Sequence, residues 1–174
     1  MIIQRVKQFI HALHARMTAE DRVWVCSLLA REERLLFEAM TQADQCHSVR
    51  VAKTALALAR NQSVHETLLL RCALLHDIGR QKGDMGTQGK ILAVLMQAVF
   101  PYRSLQWARP GGRHWWEWPR RVLYIYYYHP DIGRDKLLAL GCYQEALIIA
   151  QHHKAPAESD SPELCLLRAA DAMN

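Results

Sequence analysis

Alternation of apolar and polar residues at period two is nearly absent from this 174-residue chain, which leaves helices rather than sheets to build the core. No apolar run approaches the roughly 20 residues needed to span a bilayer as a helix. The five cysteines (Cys26, Cys46, Cys72, Cys142 and Cys165) are odd in number and hold no Cys-x-x-Cys pair. They read as reduced, mostly buried residues of a cytoplasmic protein, and a disulfide framework is not expected. Acidic residues are missing before Glu20, a faint echo of a transit peptide. The spacing of Ile3, Val6, Ile10, Leu13 and Met17 instead predicts a helix over about 2–16 packed on the domain. A signal-peptide apolar region with a cleavage site is also lacking. With no repeat, low-complexity tract or linker, one domain over 1–174 is expected, its N-terminal helices (1–43) packing on a core at 44–174.

What is present is ordinary globular material with an excess of histidine. Apolar residues make up 51% and charged residues 22%, enough for a real core. The excess of 22 Lys and Arg over 17 Asp and Glu suits an anionic ligand, while no stable nucleic-acid complex is expected from so mild a balance. Nine histidines are many for this length and raise the question of a metal.

The pivotal stretch is Leu74-Leu75-His76-Asp77-Ile78-Gly79-Arg80. An apolar helical run from Leu68 to Leu75 leads into His76 and Asp77. Gly79 is expected to terminate the helix in the left-handed conformation. The pair then sits in the last turn of a buried helix, where an ionised Asp is costly unless paired or metal-bound. Around it, Thr18 is expected to cap a helix with Asp21 at the capping-box position, a third helix covers about 31–41, and Asp44 caps a long helix to about Arg60. Helices are also expected at about 88–99, 120–128 and 143–153. Pro130 should open a new helix after His129, and Pro162 the last one.

Histidines and aspartates recur at helix ends and on apolar faces: His47, His76, Asp77, His129, His152, His153 and Asp171. Each alone has a bland explanation as a hydrogen-bonded core or surface residue. Together they form an imidazole and carboxylate set that suits Fe, Mn or Zn, and the absence of thiolates argues against a structural zinc site.

The order His47, His76-Asp77, Asp171 resembles the HD-domain superfamily of metal-dependent phosphohydrolases. The likeness covers about residues 44–174. His47-Ser48 with Val51-Ala52 resembles its first-histidine helix, His76-Asp77-Ile78-Gly79 its most characteristic motif, and Ala169-Ala170-Asp171 its closing helix. His129-Pro130-Asp131-Ile132-Gly133 and the helix ending in His152-His153 are similar to motifs of a two-metal branch. The resemblance implies an all-α helical bundle. It further implies two divalent metals, Fe or Mn, with His47, His76, Asp77 and Asp171 on one, His129 and His152 on the other, and Asp77 bridging. His153 would ligate a third metal or stand behind the ligands. Catalytic Asp77 and Arg80 would act on a small phosphorylated substrate, a nucleotide among the candidates. Arg80, Lys82 and Lys154 would bind that substrate, with Lys90 a further candidate. The same scaffold hosts di-iron oxygenases, and a non-catalytic metal- or nucleotide-binding module is a third reading.

Three departures separate the chain from the cyclic-dinucleotide branch. His153 is followed by Lys154 rather than Glu, no Gly-Tyr-Pro segment follows, and Arg80 stands where that branch tends to carry Lys. The bacterial diadenosine-tetraphosphate hydrolases use a similar six-ligand pattern. Residues 101–121 break the helical spacing with Pro101, Pro110, Gly111, Gly112 and Pro119, so an irregular insert is expected. It carries four of the five Trp and several Arg. The first expectation is that these Trp pack on the domain; a substrate lid and a membrane contact through 106–121 are the other two readings.

Overall fold

A computed structural model describes residues 16–111 and 114–174, and all regular structure among them is helical. The expected helix at 2–16 lies almost wholly outside these residues. The helices are α1 (Ala19–Leu28), α2 (Arg31–Glu38), α3 (Gln42–Ala59), α4 (Glu66–Leu75), α5 (Gly86–Val99), α6 (Pro101–Trp107), α7 (Trp118–Ala139), α8 (Tyr143–Ile149) and α9 (Pro162–Met173), with a 3-10 turn at Trp115–Glu117.

Local chemistry sets several boundaries. Thr18 caps α1 through the expected capping box with Asp21. Ser161 caps α9, whose Pro162 sits in the first turn, where a missing N–H costs nothing. The cap of α3 is Thr41 rather than Asp44: Asp44 lies one turn in, buried, donating its backbone N–H to the Thr41 hydroxyl and holding Lys90 Nζ at 2.5 Å. The Lys90 ammonium is thus committed to tying α5 to the start of α3.

Two apolar clusters result. The main core lies where α3, α4, α8 and α9 meet, filled by fully buried Leu69, Leu74, Leu75, Ile149 and Leu167, with Phe37 and Met40 from the α2 region. Small Ala52, Ala55, Ala73 and Ala170 let the helices approach closely. A second, smaller cluster joins α5, α6 and the first half of α7 through Ala93, Ala108, Val122, Leu123 and Ile125. Helix α7 therefore belongs to both lobes.

Several expectations fail for identifiable reasons. The insert at 101–121 is mostly helical, because Pro101 and Pro119 occupy first turns and start helices instead of breaking them. Its Trp residues do not pack as expected: Trp118 joins the second cluster, but Trp107, Trp115 and Trp116 are exposed. The cysteines are not mostly buried, since Cys26 and Cys165 are exposed. Pro130 does not begin a helix; it lies inside the 22-residue α7. Helix α8 stops at Ile149, and the paired histidines sit in the turn beyond it.

Gly79 also has a different role from the one expected. It is absent from the positive-φ glycines, which are Gly83, Gly86 and Gly141. A Cβ on Gly79 would stand 2.0 Å from the His129 carbonyl oxygen. The residue is small because α7 passes directly over it. Lys136 Nζ clamps the same crossing by bonding the Ile78 carbonyl at 2.9 Å.

Candidate metal centre

All seven of the histidines and aspartates singled out from the sequence converge, each in contact with His76, Asp77 or His129; His153 reaches His129 directly, with ring centroids 5.0 Å apart. The α4 helix delivers His76 at its C-cap and Asp77 in the following turn, each 1% exposed. His47 comes from the middle of α3, Asp171 from the last turn of α9, His129 from α7, and His152 and His153 from the turn after α8. His47 Nε2 lies 3.0 Å from Asp171 Oδ1, and His76 Nε2 lies 3.7 Å from the same oxygen. His76 Nε2 is 3.5 Å from Asp77 Oδ2, and His129 Nε2 is 3.3 Å from Asp77 Oδ1. The rings of His76, His152 and His129 continue the row, at centroid separations of 5.3 and 5.5 Å, and His153 lies 4.0 Å from His152.

Three of the histidines are aimed by one device. Nδ1 of His76 bonds the Ala73 carbonyl at 2.8 Å, His129 the Tyr126 carbonyl at 2.9 Å, and His152 the Ile149 carbonyl at 2.6 Å. Each is the carbonyl three residues back. With Nδ1 donating there, Nε2 faces the centre with its lone pair free, the tautomer a metal ligand needs. Helix ends supply spare carbonyls for His76 and His152. His129 lies mid-helix, and Pro130 frees its carbonyl: having no N–H, Pro130 leaves the Tyr126 oxygen four residues back open, and His129 takes it. The Pro that reads as a helix boundary is part of the aiming device.

The electrostatics favour ionised carboxylates beside neutral imidazoles. Burial alone would raise the Asp77 carboxyl, but Arg80, then His76 and His129, hold it well below the usual range. For Asp171 burial is likewise overcome, by the His47 contact and by His76, and the carboxyl falls to about 2. Burial, followed by the charge of Arg80, lowers His129. Burial, with His76 and His153 nearby, pushes His152 well down, and burial with His129 brings His153 to about 4. At neutral pH the carboxylates are ionised and these three imidazoles neutral, so all offer lone pairs.

The donor atoms fit a metal. Three overlapping triads, His47-His76-Asp171, His76-Asp77-His152 and His129-His152-His153, each keep their ligand atoms within 4.8 Å of one another. The Nε2 atoms of His76 and His152 are buried without a hydrogen-bond partner. Leaving a buried polar atom unsatisfied costs about 1–3 kcal/mol, and a metal at this place would remove that cost.

Arg80 occupies one side. Its guanidinium bonds Asp77 Oδ1 at 2.5 Å and His129 Nε2 at 3.1 Å. A single imidazole lone pair cannot accept from Arg80 and ligate a metal together. Of the other substrate-binding candidates, Lys154 is exposed directly after His153, while the Lys82 ammonium bonds the Glu38 carbonyl at 2.8 Å. Sequence reasoning missed a largely buried network: Arg71 pairs with Glu33 and with Glu145 at 3.0 Å, joining α2, α4 and α8. Nothing local in the sequence marks the burial of its two carboxylates.

This is an all-α bundle in which histidines and aspartates from five helices or their following turns form groups that could hold a metal ion. The family model of the HD domain matches residues 45–174, and the chain belongs to the HD-domain family, a family of metal-dependent hydrolases. Comparisons with curated proteins and with solved structures give no match.

Proposed function

We propose that this protein is a phosphohydrolase cleaving a phosphate ester or anhydride of a nucleotide or other small molecule at a centre of two divalent metals, Fe or Mn. The observation that carries this reading is the row of three overlapping ligand triads, which spreads donor atoms beyond what one ion can use. His47, His76, Asp77 and Asp171 would hold one metal, and His129 and His152 the other, with Asp77 between them and His153 beside the second. Metal bound there supplies a water acidified toward neutrality and positive charge against the phosphoryl oxygens.

The chain's own groups have definite tasks. Asp77 sets the negative charge at the middle of the row. The Nδ1 contacts of His76, His129 and His152 lock the rings so that no reorientation is needed. Arg80 bonds both Asp77 and His129, and it would have to release His129 for Nε2 to serve as a ligand. The released guanidinium is then free to take a phosphate oxygen pair in a bidentate contact. Lys154, exposed beside His153, adds positive charge at the rim.

The test is a panel of phosphomonoesters, phosphodiesters and nucleoside polyphosphates with Mn or Fe added, using Asp77→Asn as control. Phosphate release that is lost in Asp77→Asn supports the reading. Release unchanged in that variant would refute it. Oxygen uptake without phosphate release would reassign the centre to an oxygenase.

A further inference from the structure

Helix α5 is apolar on both faces, which is the pattern of a buried helix, yet one of those faces is exposed. Gly89 and Ala93 turn toward α7, where a Cβ on Gly89 would stand 3.1 Å from Val122. On the opposite side Ile91, Val94, Leu95 and Val99 are exposed, at the spacing of one helical face. The single charged residue of α5 is Lys90, and its ammonium is held by Asp44. The exposed apolar surface continues into α6 through Tyr102, 84% exposed, and Leu105. Contiguous apolar surface of this kind marks a docking face.

The charge around it selects the occupant. No acidic residue occurs between Asp84 and Glu117, whereas Arg103 and Arg109 fall there and Arg120 follows closely. All three arginines are exposed. Beside the apolar face lies a cleft of about 510 Å³ lined by Gln106, Trp107, Arg109 and Arg120. Trp115, 81% exposed, stands at the end of the same segment. Apolar side chains flanked by Trp and Arg match the acyl and headgroup layers of an anionic bilayer. A symmetric second copy would set the arginines against one another. The chain's first 19 residues, which carry Arg5, Lys7 and Arg16 and no acid, have the same sign of charge. No described helix is long and apolar enough to cross a membrane, and α5 has 14 residues, so the face lies in the interface.

We infer that the α5–α6 face docks the protein on an anionic phospholipid surface, with Ile91, Val94, Leu95 and Val99 entering the acyl boundary and Arg103, Arg109 and Arg120 meeting lipid phosphates. The test is co-flotation of the full chain with vesicles of phosphatidylglycerol and phosphatidylcholine, against pure phosphatidylcholine. Binding is expected to the first alone, with blue-shifted Trp emission quenched by brominated acyl chains, and unaffected by millimolar inorganic phosphate or glycerol phosphate. Val94→Glu with Leu95→Glu abolishes it, and Arg103→Glu with Arg109→Glu and Arg120→Glu lowers the partition coefficient by roughly a hundredfold or more. All five positions are exposed, and unchanged circular dichroism checks that the variants fold. Absence of anionic-vesicle binding, equal binding to both vesicle types, or displacement by soluble phosphate would overturn the inference. So would a dimer in sedimentation velocity that Val94→Glu with Leu95→Glu dissolves while vesicle binding is absent.

Discussion

The histidine row and the α5–α6 lobe break the rules of a soluble helical bundle in opposite ways. In the row, polar atoms sit inside: His76 and Asp77 are almost wholly buried, and two Nε2 atoms have no partner. In the lobe, apolar atoms sit outside, along a helix face with no charge. Each irregularity is costly for the isolated chain, and each would be removed by the partner proposed for it, a cation in one case and an apolar, anionic layer in the other. Helix α7 carries both regions, with Val122 and Leu123 in the lobe and His129 in the row.

The difference also sets what substitution does in each region. The largest effect is expected at Asp77→Asn, which removes the central negative charge: metal binding is lost and any hydrolysis falls by about 10³-fold or more, on the scale of losing a main electrostatic group. Isothermal titration with Mn and a turnover assay check this. Next is Arg71→Met, which strands Glu33 and Glu145 without their cation. Breaking a buried pair from one side costs about 3–5 kcal/mol, so urea unfolding should shift strongly. Gly79→Ala follows. Its Cβ must displace the His129 backbone, at a cost above the about 1–3 kcal/mol usual for overpacking, and it should weaken metal binding along with stability. By contrast Trp115→Ala, in the lobe, should change stability by no more than about 0.5 kcal/mol. Equal losses at Gly79 and Trp115 would erase the distinction between the regions.

A smaller effect separates them by pH. In the metal-free protein His129, His152 and His153 are held neutral by burial, and His153 titrates at about 4. Unfolded imidazoles titrate near 6.5, so the unfolded chain binds more protons between these values. Stability from this source is full above pH about 6.5 and is lost as pH falls toward 4. The Tm of the metal-free protein should therefore drop across that window, and each 1 kcal/mol reads as roughly 2–4 °C for a chain of this size. A flat Tm would mean the rings are not held neutral. Arg80→Met gives a subtler readout. It frees the His129 lone pair, so the affinity of the second metal position should rise rather than fall.

The residues that converge in the histidine row were legible in the sequence because the His-Asp pair, the flanking apolar runs and the later histidines are local signals with a family pattern. The all-helical fold followed from the period of the apolar residues. What remained hidden depended on distant partners. Pro130 looks like a boundary until the Tyr126 carbonyl it frees is seen bonded to His129. Gly79 looks like a helix terminator until α7 is seen lying on it. Pro101 and Pro119 looked like breakers because the sequence does not say on which side of a proline a helix lies. The exposure of α5 could not be read either, since an apolar helix in sequence is a buried helix by default.

The most direct measurement is metal titration of the chelator-stripped chain, followed by calorimetry and metal analysis, beside Asp77→Asn at matched helical content. About two Mn or Fe ions per chain, with binding lost in Asp77→Asn, is the expected result. A wild-type chain that takes up no metal, or an Asp77→Asn chain that takes up as much, would contradict the reading of the histidine row as a metal centre.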